Sequence, residues 1–201
     1  MLNIDIPPFR PHRLLRSGHA QTIAGVLFPG RAPEYSADAH HVWLTDGDRL
    51  VLHDDSPARW SPGDRTALLL HGLSGCHQSG YMRRFAAKLN AAGVRTFRMD
   101  LRGAGAGAEL AKHSYHCGRS EDAVAALEAV ARLCPDSPTA LVGVSLGGNI
   151  CLKLMGESGR RTPGNLDRGM SISAPVDLLR CSAGMERPLN RIYDRHFVKH
   201  L

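Results

Sequence analysis

The stretch LVGVSLGGN, residues 141–149, contains the pattern Gly-x-Ser-x-Gly centred on Ser145. An apolar run that suits a buried strand leads into it, and the residues after it have the spacing of a helix. Ser145 therefore lies where a strand ends and a helix begins, which is the setting of a nucleophilic serine on a sharp turn. Gly143 and Gly147 flank it because side chains there would collide with the neighbouring strand and helix. The short pattern alone can arise by chance, so the strand–helix setting carries the prediction.

Strands and helices alternate along most of the chain around this stretch. Short apolar runs predict the strands, and amphipathic spacing predicts the helices between them. The predicted strands are residues 66–72, 94–100, 139–145 and 168–174, the helices are residues 81–93, 120–134 and 147–158, and residues 40–54 form a hairpin. We therefore expect an α/β fold, with a mostly parallel, doubly wound sheet and helices on both faces.

The sequence also predicts where one helix begins. Ser120 is a favourable N-cap residue, and Glu121 and Asp122 follow it. Acidic side chains in the first turn interact favourably with the helix dipole. We expect Ser120 to cap this helix.

The chain divides into three predicted regions. Residues 1–36 are expected to form an irregular arm, because five prolines interrupt any long element. Residues 37–174 hold the alternating strands and helices of the core. Residues 175–201 lack this alternation, and residues 188–201 within them have the spacing of one amphipathic helix.

Composition and charge favour an ordinary globular protein. The chain has 201 residues and a net charge of +6, with basic residues concentrated in residues 10–19 and in the C-terminal third, including Arg160, Arg161 and Arg168. A basic surface can attract nucleic acid, but the chain carries no nucleic-acid-binding motif. We expect a solvated basic surface and no nucleic-acid partner.

Cysteine usage and hydropathy predict the compartment. The five cysteines are odd in number and include no CxxC pair, so a disulfide framework is not expected. The N-terminus has no apolar segment typical of a signal peptide, and no apolar run is long enough to span a membrane. These features favour a cytoplasmic protein without a membrane span.

A second stretch complements the serine. The apolar strand ending at Leu70 is followed by HGLSG, residues 71–75. In hydrolases with a serine on such a turn, the loop after this strand supplies one backbone donor of the oxyanion hole. The expected donors are the N–H groups of Leu73 and Leu146. His71 and Gly72 are expected to support this loop, with His71 bracing it through a hydrogen bond rather than acting as the catalytic base.

With these stretches in place, the sequence resembles the α/β-hydrolase superfamily and, within it, the YheT-like esterases. The resemblance covers nearly the whole chain and rests on FRPHRLLRSGHAQT, LLLHGLSG, RMDLRGAGAG, GVSLGGN and MERPLNRIYDRH. It implies a Ser-Asp-His triad, hydrolysis of carboxylic esters and a helical lid that begins near Pro175. It also implies that the triad acid and histidine follow the lid. Only Ser145 is carried over, so the chain is expected to be an incomplete α/β-hydrolase fold that ends in the lid.

Other polar residues are weaker candidates for an acid, a base or a metal ligand. Asp177 follows the last predicted strand, where some α/β-hydrolases place their acid. His196 and His200 lie four residues apart and are candidates for a base or a metal pair, although surface or packing roles are more usual. The remaining candidates, interpreted as loop residues, are His113, His116, Cys117, Cys76 and His77.

Two classes of function are consistent with these patterns. The first is a serine hydrolase of the carboxylesterase type, acting on short-chain acyl esters or monoacylglycerols without a metal or organic cofactor. An acyltransferase would use the same serine with an alcohol as acceptor. The second class is a non-catalytic fragment or pseudoenzyme that keeps the fold as a binding module. Because residues 168–174 would form an exposed edge strand, we also expect aggregation or a second chain that completes the fold.

Overall fold

The computed structural model describes residues 7–34, 36–159 and 161–200. Arg160 and the side chain of His200 lie outside the described residues. The chain falls into two compact units, Met1–Ala32 and Pro33–Leu201. The second unit contains the predicted core.

A six-stranded sheet forms the centre of the second unit. Its strands lie in the order β1-β2-β4-β3-β5-β6. They are β1 (Asp38–Trp43), β2 (Arg49–Asp55), β3 (Thr66–Leu70), β4 (Arg95–Asp100), β5 (Thr139–Val144) and β6 (Leu166–Ile172). The first two strands form the predicted antiparallel hairpin, and β2 pairs antiparallel with β4. The other neighbouring strands are parallel, which confirms the expected mostly parallel sheet.

Helices cover both faces of this sheet. Helices α3 (Ser120–Leu133) and α4 (Leu146–Ser158) lie on one face, and α2 (Gly80–Ala91) lies on the other. The larger apolar core joins α3 and α4 to alternate residues of the strands, such as Leu68, Leu70 and Leu141. The smaller core joins α2 to Ala67 and Leu69. The two cores use opposite sides of β3, as expected for a strand buried on both faces.

The face that α2 covers is only partly filled. A groove of about 320 Å³ runs between α2 and strands β3, β5 and β6. Apolar side chains line most of it, including Leu69, Phe85, Leu89, Val142 and Met170. Among the described residues, β6 pairs with β5 alone, so it forms one edge of the sheet. The groove and this edge leave apolar surface and backbone groups available to another segment.

The N-terminal arm contains regular structure that the prolines did not predict. Helix α1 (Gly18–Leu27) lies between Pro11 and Pro29, in a proline-free interval. The side chain of Ser17 caps it, accepting a hydrogen bond from the N–H of Ala20 at 3.2 Å. The prediction of an irregular arm over residues 1–36 was therefore wrong for this interval. In the described part of the chain, no helix combines the length and apolarity needed to cross a bilayer.

Ser120 does not act as the predicted cap. It is the first residue of α3, Arg119 occupies the N-cap position, and no side-chain capping bond forms there. The Ser120 hydroxyl donates instead to Glu157 and accepts a hydrogen bond from Lys153 at 2.9 Å. Both partners belong to α4, so Ser120 joins two helices. A tertiary contact has replaced the local one.

The C-terminal region contains two helices rather than one. Helix α5 (Leu178–Met185) precedes a 3-10 turn at Pro188–Asn190, and α6 (Arg191–His200) follows it. The helix predicted over residues 188–201 therefore begins at Arg191, three residues later than expected. Proline starts the 3-10 turn because its fixed φ and missing N–H suit the first turn of a helix. Helix α5 was missed because its eight residues are too short to establish a periodic pattern.

Replacing Met170 with lysine is expected to reduce self-association of the chain. Met170 lies in β6 within the groove and is 59% exposed, so a charge there breaks the apolar surface and protects the edge strand. The matched control is Leu152→Lys, which introduces the same charge at a 44% exposed position of α4. Light scattering at increasing protein concentration measures the effect. Equal behaviour of both variants would show that the groove is not the associating surface.

Candidate active site

Ser145 occupies a strained turn between β5 and α4. Its backbone has φ 54° and ψ −117°, in the positive-φ region that residues other than glycine rarely adopt. Two backbone hydrogen bonds hold it there. The Ser145 N–H donates to the carbonyl of Ile172 at 2.8 Å, and its carbonyl accepts from the N–H of Asn149 at 3.0 Å. Such a conformation costs about 1–3 kcal/mol and persists only where surrounding contacts enforce it.

The two flanking glycines make this turn possible. A Cβ atom at Gly143 would overlap the carbonyl of Gly147. A Cβ atom at Gly147 would lie 2.6 Å from the carbonyl oxygens of Leu70 and His71, at the end of β3. The pattern therefore reflects two close backbone approaches, one within the turn and one between the turn and its neighbouring strand.

The loop between β3 and α2 lies directly against Ser145. The parallel register places Leu70 beside Gly143, so β3 ends next to the turn. A Cβ atom at Gly72 would lie 3.1 Å from the Ser145 Cβ and 3.7 Å from its Oγ. Gly72 is thus a close neighbour of the serine, and the loop that it begins is in position to contact a molecule bound there.

The His71 imidazole is buried beneath this loop. Its Nε2 accepts a hydrogen bond from the N–H of Leu101 at 3.1 Å, so Nδ1 carries the proton and donates to the carbonyl of Gly72 at 2.7 Å. Burial lowers the pKa of His71, against the raising effect of the Gly72 carbonyl and Asp100. Both ring nitrogens are therefore occupied, and the neutral ring ties the loop to the end of β4.

One backbone donor of the loop stays available. The N–H of Gly72 donates to the Tyr81 hydroxyl and the N–H of Ser74 to the Tyr115 hydroxyl. Between them, the Leu73 N–H has no acceptor among the residues that the structure describes. Leu146 is the first residue of α4, and the first N–H groups of a helix have no intrahelical acceptor. The β3–α2 loop and the start of α4 therefore each carry a backbone N–H, of Leu73 and of Leu146, that is available to a bound molecule.

A buried carboxylate behind the loop organises two histidines. Asp100, at the end of β4, accepts a hydrogen bond from His77 Nδ1 at 2.6 Å and one from His53 Nε2 at 3.0 Å, both on Oδ2. The backbone N–H groups of His77 and Ala106 also donate to this carboxylate, at 2.6 Å and 2.9 Å. The cluster thus ties strand β2, the β3–α2 loop and the turn after β4 to one point.

The charges of this cluster are balanced by hydrogen bonds. Burial alone would raise the pKa of Asp100, but its bonds to His53 and to the backbone outweigh that effect, so its pKa is lowered and it stays ionised. Burial lowers the pKa of His77, although Asp100 acts in the opposite direction. The native state therefore favours a carboxylate with a neutral His77.

Among the described residues, two clusters each bring three potential metal ligands close together. In the first, His53, His77 and Asp100, the imidazole rings stack with centroids 3.4 Å apart and planes 9° apart. A metal in the plane of one ring would lie well out of the plane of the other, which is poor coordination geometry. The second group is Asp46, Asp48 and His113, where the Arg102 guanidinium already binds both carboxylates. Both groups suit hydrogen-bonded ion networks.

The residues predicted as candidate bases and acids form no hydrogen bond to Ser145 in the described part of the chain. None of the described residues forms a hydrogen bond to Ser145 Oγ. Asp177 instead caps α5, accepting a hydrogen bond from the N–H of Arg180 at 2.9 Å. His196 lies on α6 with its ring against Phe197, and the side chain of His200 lies outside the described residues. His113 binds Asp48, and His116 accepts a hydrogen bond from the N–H of Gly118 within its loop.

Sequence reasoning missed the most connected part of the site. His77 was interpreted as an ordinary loop residue, yet it is buried and bound to Asp100. The one available signal was RMDLRGAGAG, in which an acidic residue ends an apolar strand before a glycine-rich turn. A Cβ atom at Gly105 would lie 2.5 Å from the Asp100 carboxylate, so the turn must be glycine-rich to close around it.

Gly147→Ala is expected to destabilise the protein by about 1–3 kcal/mol, the usual cost of overpacking. The added methyl group would meet the backbone carbonyls of Leu70 and His71, which cannot move without breaking the sheet. Gly156→Ala is the matched control in the same helix, because it has no atom within 4 Å of the new Cβ and should stabilise the helix by about 0.5–1 kcal/mol. Urea unfolding measures both. Equal effects would contradict the close approach.

The protein is expected to lose stability as the pH falls below about 6.5, the ordinary pKa of histidine. Because burial lowers the pKa of His71 and His77, the unfolded chain binds protons that the native state does not. Stability from these groups is complete above that pH and falls towards their native pKa. The free energy of unfolding between pH 7.5 and 5.5 should therefore decrease, with a smaller slope in His77→Gln. The exposed His41→Gln control should keep the wild-type slope, and an unchanged slope in both variants would contradict this account.

Sequence comparisons identify a family model and several relatives that match most of the chain. A family model described as serine aminopeptidase, S33, matches residues 62–198. The chain is 31% identical to the Escherichia coli protein called "Putative esterase YheT" over 194 residues, covering 96% of this chain and 56% of that protein. It is 27% identical to human phospholipase ABHD3 over 187 residues, covering 90% of this chain and 45% of that protein. The chain therefore spans about half the length of these relatives.

Solved structures share the fold. The Pyrococcus furiosus esterase Pf2001 matches with a TM-score of 0.63 and 20% identity, over 77% of this chain and 58% of that one. XC6422 of Xanthomonas campestris, a serine hydrolase without a lid, matches with a TM-score of 0.54 and 19% identity, over 78% and 83% of the two chains. From its sequence match and its architecture, the chain belongs to the α/β-hydrolase superfamily, in the YheT-like branch.

Proposed function

We propose that this chain carries the nucleophile and oxyanion hole of a serine esterase of the carboxylesterase type, with Ser145 as the nucleophile. The observation that carries the proposal is the positive-φ conformation of Ser145 at the β5–α4 turn, together with the Leu73 N–H of the adjoining loop, which has no acceptor among the described residues. Strained backbone of this kind clusters at active sites and ligand-binding sites. Family membership adds independent support, since relatives are named as an esterase and a phospholipase.

The reaction follows from the positions of these groups. Ser145 Oγ attacks the carbonyl carbon of an ester, and the carbonyl π electrons move to oxygen. The Leu73 and Leu146 N–H groups donate to the resulting oxyanion, and a preorganised donor of this kind contributes about 10²–10³ in rate. The C–O bond to the alcohol then breaks, the alcohol leaves with a proton, and the acyl group stays on Ser145. Water attacks this acyl-enzyme, which releases the acid and restores the serine.

The serine proton requires a base, and we place that base outside the described residues. His71 cannot accept the proton in its observed state, because one nitrogen accepts from the Leu101 N–H and the other donates to the Gly72 carbonyl. The resemblance to the YheT-like esterases implies an acid and a histidine in segments after the lid. We propose that a further segment or a second chain supplies both. The uncovered groove beside α2 and the β6 edge are suitable surfaces for it.

The proposed substrates are short-chain acyl esters or monoacylglycerols. An ester is the bond common to the substrates of an esterase and a phospholipase, and no charged side chain among the described residues forms a hydrogen bond at Ser145. We propose the cytoplasm as the compartment, because all five cysteines are free thiols. An acyltransferase would use the same acyl-enzyme but release it to an alcohol instead of water.

A non-catalytic binding module is the second candidate. It is favoured by one observation, that no described residue forms a hydrogen bond to Ser145 Oγ. In that case the turn and the loop would bind a carbonyl compound or an acid without turning it over.

A fluorophosphonate probe is expected to label Ser145 at one site, slowly in this chain alone and rapidly once a further segment or a second chain supplies the base. Serine attack on phosphorus displaces fluoride and forms a tetrahedral adduct whose oxygen occupies the oxyanion hole. Ser145→Ala should abolish labelling. Ser173→Ala is the matched control, because Ser173 directly follows β6, has a similar φ of 53° and should leave labelling unchanged. Mass spectrometry of the intact protein measures the adduct.

The labelling results distinguish the candidate functions. Labelling that persists in Ser145→Ala would exclude Ser145 as the nucleophile, and a wild-type chain that resists the probe would favour the binding module. If the wild type is labelled, ester turnover with and without an added alcohol distinguishes hydrolysis from acyl transfer. A new ester product would show that an alcohol is the acceptor.

A further inference from the structure

We propose that Tyr81 and Tyr115 are positioning residues that fix the direction of the Leu73 N–H in the oxyanion hole. This inference rests on the function proposed for Ser145. Tyr81 lies in the first turn of α2, and Tyr115 lies in the loop before α3. The two residues reach the β3–α2 loop from different parts of the fold, and neither forms a hydrogen bond to Ser145.

The tyrosine hydroxyls bind the loop on either side of Leu73. The Gly72 N–H donates to the Tyr81 Oη at 2.9 Å, and the Ser74 N–H donates to the Tyr115 Oη at 2.7 Å. These are good hydrogen-bond distances for a backbone donor. The peptide units before and after the one that carries the Leu73 N–H are therefore each held by a side chain.

The peptide unit between them is held from its carbonyl end. The Gly72 carbonyl accepts from His71 Nδ1 at 2.7 Å and from the Gly75 N–H at 3.1 Å. In a trans peptide the carbonyl and the following N–H point in opposite directions. Two bonds to the Gly72 carbonyl therefore point the Leu73 N–H away from His71. Three consecutive peptide units are fixed, and the Leu73 N–H is the one donor of the three that keeps no partner among the described residues.

The loop needs this support because its conformation is strained. Ser74 has φ 54°, which a residue with a side chain adopts at a cost in free energy. Without the bond to Tyr115, relaxation of Ser74 would rotate the peptide unit that follows Leu73. The Tyr115 ring also packs edge-on against His71, with centroids 5.8 Å apart and planes 82° apart. Tyr115 thus supports both the Ser74 N–H and the ring that binds the Gly72 carbonyl.

Close packing around Gly75 holds the Tyr81 hydroxyl in its position. A Cβ atom at Gly75 would lie 3.1 Å from the Tyr81 Oη and from His71 Nδ1, so the absence of a side chain there lets the three groups meet. Burial raises the pKa of Tyr81 and of Tyr115. Both hydroxyls therefore stay protonated at neutral pH and act as neutral acceptors.

Phenylalanine substitutions separate positioning from packing. Tyr81→Phe and Tyr115→Phe keep the aromatic ring and remove only the acceptor. Each should slow fluorophosphonate labelling of Ser145 by about tenfold, less than the 10²–10³ expected when a donor is lost outright. Tyr193→Phe, in α6, is the matched control and should label at the wild-type rate. In steady-state ester turnover, the loss should appear in kcat with KM unchanged.

Amide hydrogen exchange by NMR gives a second readout that needs no chemistry. The Gly72 amide should exchange faster in Tyr81→Phe, and the Ser74 amide in Tyr115→Phe, while amides of β3 and β5 keep their protection. Unchanged exchange of these two amides would overturn the proposal, and so would faster exchange without slower labelling. A wild-type chain that is not labelled at all would overturn the proposed function and, with it, the positioning role. Amide hydrogen exchange would still show whether the two tyrosines hold the loop.

Discussion

The site depends on the close approach between the β5–α4 turn and the end of β3. Gly147 lies against the carbonyls of Leu70 and His71, where even a methyl group would sit 2.6 Å from two oxygens. This contact, with the register that pairs Leu70 with Gly143, fixes how far the β3–α2 loop extends over Ser145. A wider separation would keep the serine on its turn but move Gly72 and the loop that it begins away from Ser145. The glycines therefore set the spacing between Ser145 and the loop that carries Leu73.

Asp100 carries the second constraint, because it connects the loop to the sheet. A buried carboxylate is costly unless its acceptor positions are filled, and this one receives bonds from two histidines and two backbone N–H groups. Those donors come from β2, the β3–α2 loop and the turn after β4. Removing any one of them would leave the charge less compensated, so the three segments are energetically coupled. The glycine-rich turn in RMDLRGAGAG is thus explained by its close approach to the Asp100 carboxylate.

The sequence predicted the parts of the fold that local patterns determine. The hairpin, the strands β3 to β6 and the helices α2 to α4 follow from periodicity and turn residues, since burial on one or both faces sets the spacing of apolar residues. Helices α1 and α5 were missed for local reasons, and the other errors lie where partners are distant in sequence. Ser120 binds residues of α4 instead of its own helix, and His77 and Tyr115 acquire their roles from residues brought close by folding. Single-sequence patterns contain no information about such pairs, so the sequence could predict only the strand–helix turn at Ser145 and the loop after β3.

The proposed acyl transfer has two separate requirements, which are stabilisation of the oxyanion and transfer of the serine proton. Stabilisation of the tetrahedral anion requires fixed donors, and the proposed donors belong to the β3–α2 loop and the start of α4. Proton transfer requires a base that contacts Ser145, and the described residues supply none. The strain at Ser145 and Ser74 lowers stability whether or not a base is present, by about 1–3 kcal/mol for each residue. Enzymes that lack a complete triad retain about 10³–10⁴ in rate from the oxyanion hole and binding. Under the proposed function, the Ser145 turn and the β3–α2 loop would therefore act as a preorganised anion site by themselves, and a base would add proton transfer to that geometry.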